Sequence, residues 1–229
     1  MKNILARGGI EFLAVLLGIS GSLWIDNNKK LADLENERVN VYQILNDEIG
    51  AIIDYTTERI QYYNKQDSTI DFLYNNWENF SSELIDDPFD FTYDIFTTGT
   101  YMYSPNLSTF DALKSDGRFN LIDIDIRKKF GELFMLLEYI NKIENNENQS
   151  REELIVYLSK NHSEIQYQYP YHAGSNSKFE NFLVILENTR DDKTVWGLLG
   201  RKCGLTKSRN RRVRLFMEIL TSIKENLSY

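Results

Sequence analysis

Phe12-Leu13-Ala14-Val15-Leu16-Leu17-Gly18-Ile19-Ser20-Gly21-Ser22-Leu23-Trp24-Ile25 is an uncharged, mostly apolar run, and its reading decides the fold. As a helix these 14 residues rise roughly 21 Å, short of a bilayer core of about 30 Å. Extension back through Gly8, Gly9, Ile10 and Glu11 gives roughly 27 Å, enough to span with local thinning. Trp24 sits where an interfacial aromatic belongs, and Asp26-Asn27-Asn28-Lys29-Lys30 closes the span. The segment therefore predicts a transmembrane anchor over residues 1–28 and a water-exposed helical domain over 29–229. Two other readings compete. One is a cleaved signal peptide with Lys2 and Arg7 as its basic region and Ser20-Gly21-Ser22 at the cleavage site; the other is a buried helix of a soluble protein. Glu11 and the continuation to Ile25 favour the anchor.

Small residues recur within this helix at Ala14, Gly18 and Ser22, with Gly21 beside them, a stripe along which a second helix can approach closely. Glu11 shares that face, and an ionisable group in lipid favours protein or water over acyl chains. Glu11, Ala14, Gly18, Gly21 and Ser22 are thus the expected interface of a homo-oligomer. Arg7, one turn away, can pair with Glu11. An alternative gives Glu11 the role of functional acid in a subunit of an ion- or proton-coupled membrane complex. Basic residues flank both ends of the span, and the short N-terminal tail favours an inside N-terminus with the domain outside, in the periplasm of a bacterial inner membrane.

Downstream the chain is predicted to be all-α. The first of 3 prolines is Pro88, and so long a stretch without one suits helices. Leu31, Leu34, Val41, Leu45, Ile49, Ile52, Ile53 and Ile60 fall at helical steps up to about Gln66, with no breaker between them and the anchor, so one long helix is expected to lead into a helical bundle. A second, aromatic-rich helix is predicted over 70–84 and an ordered loop over 88–106. Capping-box patterns at Ser108–Asp111, Ser150–Glu153 and Ser177–Glu180 predict three helix starts. Gly117 ends the first of these in a left-handed cap, and Asp123 caps a helix running to about Asn145. Residues 161–177 read as a tyrosine-rich loop and Arg209–Leu227 as the last helix. No heptad run is long enough for a coiled coil.

The strings Gly9-Ile10-Glu11-Phe12-Leu13, Gly18-Ile19 and Trp24-Ile25-Asp26-Asn27-Asn28-Lys29 resemble the opening of an uncharacterised family of membrane-anchored proteins of Bacteroidota. Phe110-Asp111-Ala112-Leu113-Lys114-Ser115-Asp116-Gly117, Leu121-Ile122 and Arg127 resemble a second block of that family, and Asn28 stands where its members carry Trp. The resemblance implies a single-pass, inner-membrane helical protein and no particular reaction. Read physically, Phe110, Leu113 and Leu121-Ile122 form a hydrophobic clasp around the turn at Gly117.

The net charge of −8 hides a split. Arg201, Lys202, Lys207, Arg209, Arg211, Arg212 and Arg214 form a basic run free of acids, and the tail from 201 onward sums to +6 against −14 for the rest. Such a run can neutralise acidic helices of the same fold, or meet an acidic protein partner or anionic lipid head groups; nucleic acid is disfavoured by the overall acidity. Glu144, Glu147, Glu152 and Glu153 read as solvated helix faces. His162 and His172 lack the spacing and partners of a metal site and read as surface histidines, Cys203 has no His beside it, and Gly197, Gly200 and Gly204 lack a phosphate-loop setting. No catalytic residue, metal or cofactor is expected. The sequence predicts a non-catalytic, membrane-anchored helical scaffold or partner-binding protein.

Overall fold

Every described element of the computed structural model is helical, and the fold is all-α. The structure describes residues 2–97, 102–165 and 176–227; the side chains of 2–11, 14, 97 and 176–178 lie outside that description. The helices are α1 (Lys2–Asn75), α2 (Pro88–Thr92), α3 (Ser108–Ser115), α4 (Ile124–Asn161), α5 (Asn176–Glu187) and α6 (Lys193–Leu227).

Several expected boundaries are corrected. The second helix predicted over 70–84 does not exist as such: its first part continues α1, and the rest forms two short 3-10 turns, Trp77–Asn79 and Ser82–Leu84. The loop expected from residue 88 begins as α2, which Asp87 caps by accepting the Asp90 N–H at 3.0 Å, with Pro88 at the first position, where its missing donor costs nothing. Ser150 starts no helix: α4 passes through it unbroken, well beyond Asn145, and Ser150 is buried. The last helix begins at Lys193 rather than near Arg209, because Gly197, Gly200 and Gly204 are accommodated inside it.

Two compact units are formed. The first comprises residues 1–48 and 107–124. Here the expected clasp is present: Phe110, Leu113 and Ile122 are buried, as are Val41 and Leu45 of α1, and Phe110 meets Phe119 edge-on at 4.8 Å. Gly117 takes φ +83°, the left-handed conformation that a Cβ disfavours. Ser108 is not the cap of α3; instead Glu48 of α1 reaches across and accepts the Thr109 N–H at 3.2 Å. Tyr42 Oη accepts the Asp123 N–H at 3.1 Å, and Arg38 pairs with the Asp123 carboxylate at 3.2 Å.

The second unit comprises residues 49–106 and 125–229. Buried positions on its part of α1 (Ile49, Ile52, Thr56, Tyr63, Gln66, Ile70, Leu73) follow steps of three, four and seven, and α4 and α6 show comparable spacing. Contacts fix the directions. Gly50 lies beside Lys224, Gln66 bonds Arg209, and Tyr74 lies against Gly200, so α1 and α6 run antiparallel. Lys129 bonds Ser222 while Glu153 pairs with Arg201, so α4 also opposes α6. At one end an aromatic cluster of Trp77, Phe80, Phe91, Phe96 and Phe182 packs with Leu73, Leu154 and Leu199.

Gly200 permits one close approach: a Cβ there would lie 2.7 Å from the Tyr74 ring, which stacks on Trp196 at 5.6 Å. Gly200→Ala is expected to destabilise the protein by about 1–3 kcal/mol through overpacking. Gly197→Ala, with open space around its Cβ, should stabilise by up to about 1 kcal/mol through helix propensity. Urea unfolding midpoints moving in opposite directions would check both.

Candidate functional site

Long charged side chains are the least expected occupants of a helical core, and the second unit buries several of them together. From α4, Glu147 projects between α1 and α6. Its Oε2 accepts from Arg209 Nη1 at 2.7 Å, and its Oε1 accepts from the Thr206 hydroxyl at 3.0 Å and lies 3.7 Å from Lys202 Nζ. Arg209 also donates to Gln66 Oε1 at 2.9 Å and lies 4.0 Å over the Tyr63 ring, so a single guanidinium joins α1, α4 and α6. One turn earlier on α4, Glu144 accepts from the Tyr63 hydroxyl at 3.1 Å and from the Tyr103 N–H at 2.9 Å, which pins the irregular segment after residue 101 to the bundle. Tyr103 in turn bonds Thr56 at 2.5 Å, and Thr56 donates back to Ile52 O.

Burial governs the electrostatics of this layer. Removal from water pushes the Glu144 carboxyl up to about 7 despite its hydrogen bonds and the nearby Arg209. Burial lowers Lys202 to about 8 against the pull of Glu147, and it raises the Tyr63 and Tyr103 hydroxyls above their usual range. A network of this kind holds helices in register, because a one-turn slip would leave a buried charge unpaired.

The basic run divides between the core and one surface groove, which Lys207, Arg211, Arg212 and Arg214 line together with Asp67 and Glu218. Lys202 and Arg209 are buried in the layer just described. Arg201 pairs with Glu153, Lys207 with Asp71, Arg214 with Asn64, and Arg212 lies 4.8 Å over the Tyr139 ring. Arg211 has its place in that groove, of about 510 Å³, between Arg214 and Glu218. The expectation of solvated faces at Glu144 and Glu147 is overturned, since both are buried, whereas Glu153 is surface-paired as an exposed helix residue. His162 is not a bare surface histidine: its Nε2 lies 3.1 Å from Asp192, which also accepts from Tyr157 at 2.9 Å and ties the end of α4 to the start of α6. His172 lies outside the described residues. Cys203 is largely buried, and that burial raises its thiol. Among the described residues, no group of three or more His, Cys, Asp or Glu is placed to hold a metal ion.

Of the expected transmembrane interface, the Glu11 and Ala14 side chains lie outside the described residues. Gly18 and Gly21 have open space where a Cβ would stand, and the Ser22 hydroxyl bonds its own helix at Ile19 O, 2.9 Å. Among the described residues, no helix is long and apolar enough to cross a membrane. No family model, curated protein or solved structure matches the chain.

The buried layer was detectable in principle. Glu144, Glu147 and Arg151 are in phase with Ile140, Ile143, Leu154 and Leu158, as Lys202 and Arg209 are with Leu199, Val213 and Phe216. Arg209→Met should lower the unfolding free energy by about 3–5 kcal/mol by leaving Gln66 and Glu147 short of a partner, and Arg209→Lys should recover only part of it. Glu144, raised in the folded state, contributes stability that is full below its unfolded value and lost as pH rises through about 7. Glu144→Gln removes that titration. The wild type should therefore lose stability relative to this variant between pH 5 and 8, by about 3 kcal/mol, measured by urea unfolding across the range.

Proposed function

We propose that this chain is a non-catalytic, membrane-anchored helical scaffold or partner-binding protein that self-associates through its N-terminal helix. One observation carries the proposal. Phe12, Leu17 and Trp24 are 66%, 70% and 68% exposed, and Leu13, Val15, Leu16, Ile19, Leu23 and Ile25 are exposed beside them. Residues 15, 16 and 17 follow one another about 100° apart, so the apolar surface encircles the helix instead of forming one stripe. Each such side chain gains about 1.5–3 kcal/mol on leaving water, and lipid is the surrounding that covers every side of a helix at once. The resemblance of this opening to a family of single-pass inner-membrane proteins supports the same reading, as does the polar closure at Asp26–Lys30.

The second part, self-association, is supported by the open flank at Gly18 and Gly21, where another backbone can approach. A non-catalytic role is supported by the engagement of the main cluster of titratable groups with one another in the core.

The full-length protein is expected in the membrane fraction after a carbonate wash and in solution only with detergent. Gly18→Leu combined with Ser22→Leu is expected to shift it to a smaller assembly in detergent, read by analytical ultracentrifugation; an unchanged mass would overturn the interface. Glu11→Gln is expected to weaken assembly while leaving ion flux across proteoliposomes unaltered.

A further inference from the structure

The 3-10 turn Ser82–Leu84, the start of α2 and one side of α5 build a surface unlike the rest of the second unit. Two grooves, of about 400 and 240 Å³, share Ile85 and Asp86. Each has an apolar part to its wall: Phe72, Phe91 and Leu84 in the larger, Leu183 and Val184 in the smaller. Leu84 and Val184, one in each groove, are 57% and 48% exposed, which leaves apolar surface open to a ligand.

Charge on this face is one-sided. Asp86, Asp87, Asp90 and Asp94 line the larger groove, and Glu83 and Glu180 the smaller. Lys65 is the one cation lining either groove among the described residues, and it sits 2.8 Å from Asp90. Asp94 is only 4% exposed, yet its Oδ2 makes no hydrogen bond and lies 3.7 Å from that same Lys65. Burial raises the Asp94 carboxyl against the pull of Lys65, so the charge this face offers to a ligand is that of the outer acids. Glu83, Asp86 and Glu180 make no ion pair among the described residues.

The face is also pre-shaped. Ser82 donates from both its N–H and its hydroxyl to Glu187 at 2.9 Å, Arg190 bonds Phe80 O at 3.0 Å, and Trp77 Nε1 bonds Arg190 O at 3.1 Å. Phe80 stacks between Trp77 and Phe91 at about 6 Å. A surface held this way loses little freedom when a ligand docks.

From these observations we infer that the face formed by Leu84–Asp94 and α5 docks a basic amphipathic segment of a partner protein, its apolar side chains entering the two grooves and its Lys or Arg groups meeting the acidic rim. This inference rests on the partner-binding part of the proposed function and is independent of the anchor.

The test uses full-length protein in an uncharged maltoside detergent and a short fluorescein-labelled peptide with leucine and lysine at helical spacing, followed by fluorescence anisotropy. Binding is expected to weaken about ten-fold or more in Leu84→Ser/Val184→Ser and in Glu83→Lys/Asp86→Lys, whose positions are at the surface, and to weaken with added salt. The matched leucine–glutamate and serine–lysine peptides should bind at least about ten-fold less tightly. Equal affinity for all three peptides, or unaltered affinity in both variants, overturns the inference. So does a wild type that binds no peptide but becomes a smaller assembly on Leu84→Ser/Val184→Ser, which would assign the face to a second copy of this chain. Should the protein prove to need no detergent, the anchor fails while the peptide measurement keeps its meaning.

Discussion

The second unit depends on the pairing of Glu147 with Arg209. Neither charge is accessible to water, and an ion that size in a medium of low polarity is tolerated only beside its partner. Because Glu147 is on α4 while Arg209 also grips Gln66 and covers Tyr63 on α1, satisfying one guanidinium places three helices along their axes at once. Apolar packing alone would bind these helices nearly as well after a slide of one turn; the ion pair would not survive it. Thr206, Lys202 and Asn210 extend the same restraint along α6, with Asn210 bonded to the Tyr63 carbonyl at 3.1 Å.

That layer also explains which parts of the fold could be read from sequence. The helical class followed from the absence of proline before Pro88 and the spacing of Val41, Leu45, Ile49 and Ile52, and the clasp around Gly117 followed from a glycine flanked by Phe110, Leu113 and Ile122. Both are local or purely apolar signals. The length of α4 and α6 was hidden because polar residues occupy their inward positions. Glu144, Glu147, Ser150 and Arg151 make the middle of α4 look like a solvated surface, and Ser150 followed by Glu153 imitates a helix start. Along α6, Gly197, Gly200 and Gly204 lie within the helix, and at Gly200 the missing side chain is what admits Tyr74. A sequence pattern separates apolar from polar, whereas here the inward face mixes them.

Much of the charge asymmetry between the tail and the rest of the chain is settled inside the fold. Arg201 with Glu153, Lys207 with Asp71, and Lys202 and Arg209 with Glu147 match positive α6 against the acidic helices. Surface members of this set add little stability individually, because water and salt screen them, and Arg211, Arg212 and Arg214 keep a basic stretch on the exterior of α6. The acid around Asp86 and Glu83 has no such internal counterpart, so the acidic character of the unit is concentrated at the turn before α2.

The hydrogen bond between Arg209 and Gln66 joins residues 143 positions apart, a separation with a consequence for biosynthesis. At elongation rates of about 5–20 residues per second, the inward face of α1 waits roughly 7 to 30 s before the helix that covers it has been translated. During that interval Ile49, Ile52, Ile70 and Leu73 are open to any passing apolar surface, so the nascent chain depends on chaperone shielding or rapid delivery to its destination. A helical protein would ordinarily be rich in neighbouring contacts and quick to fold; closing this bundle with the 35 residues of α6 makes folding of the second unit wait until that helix has been made.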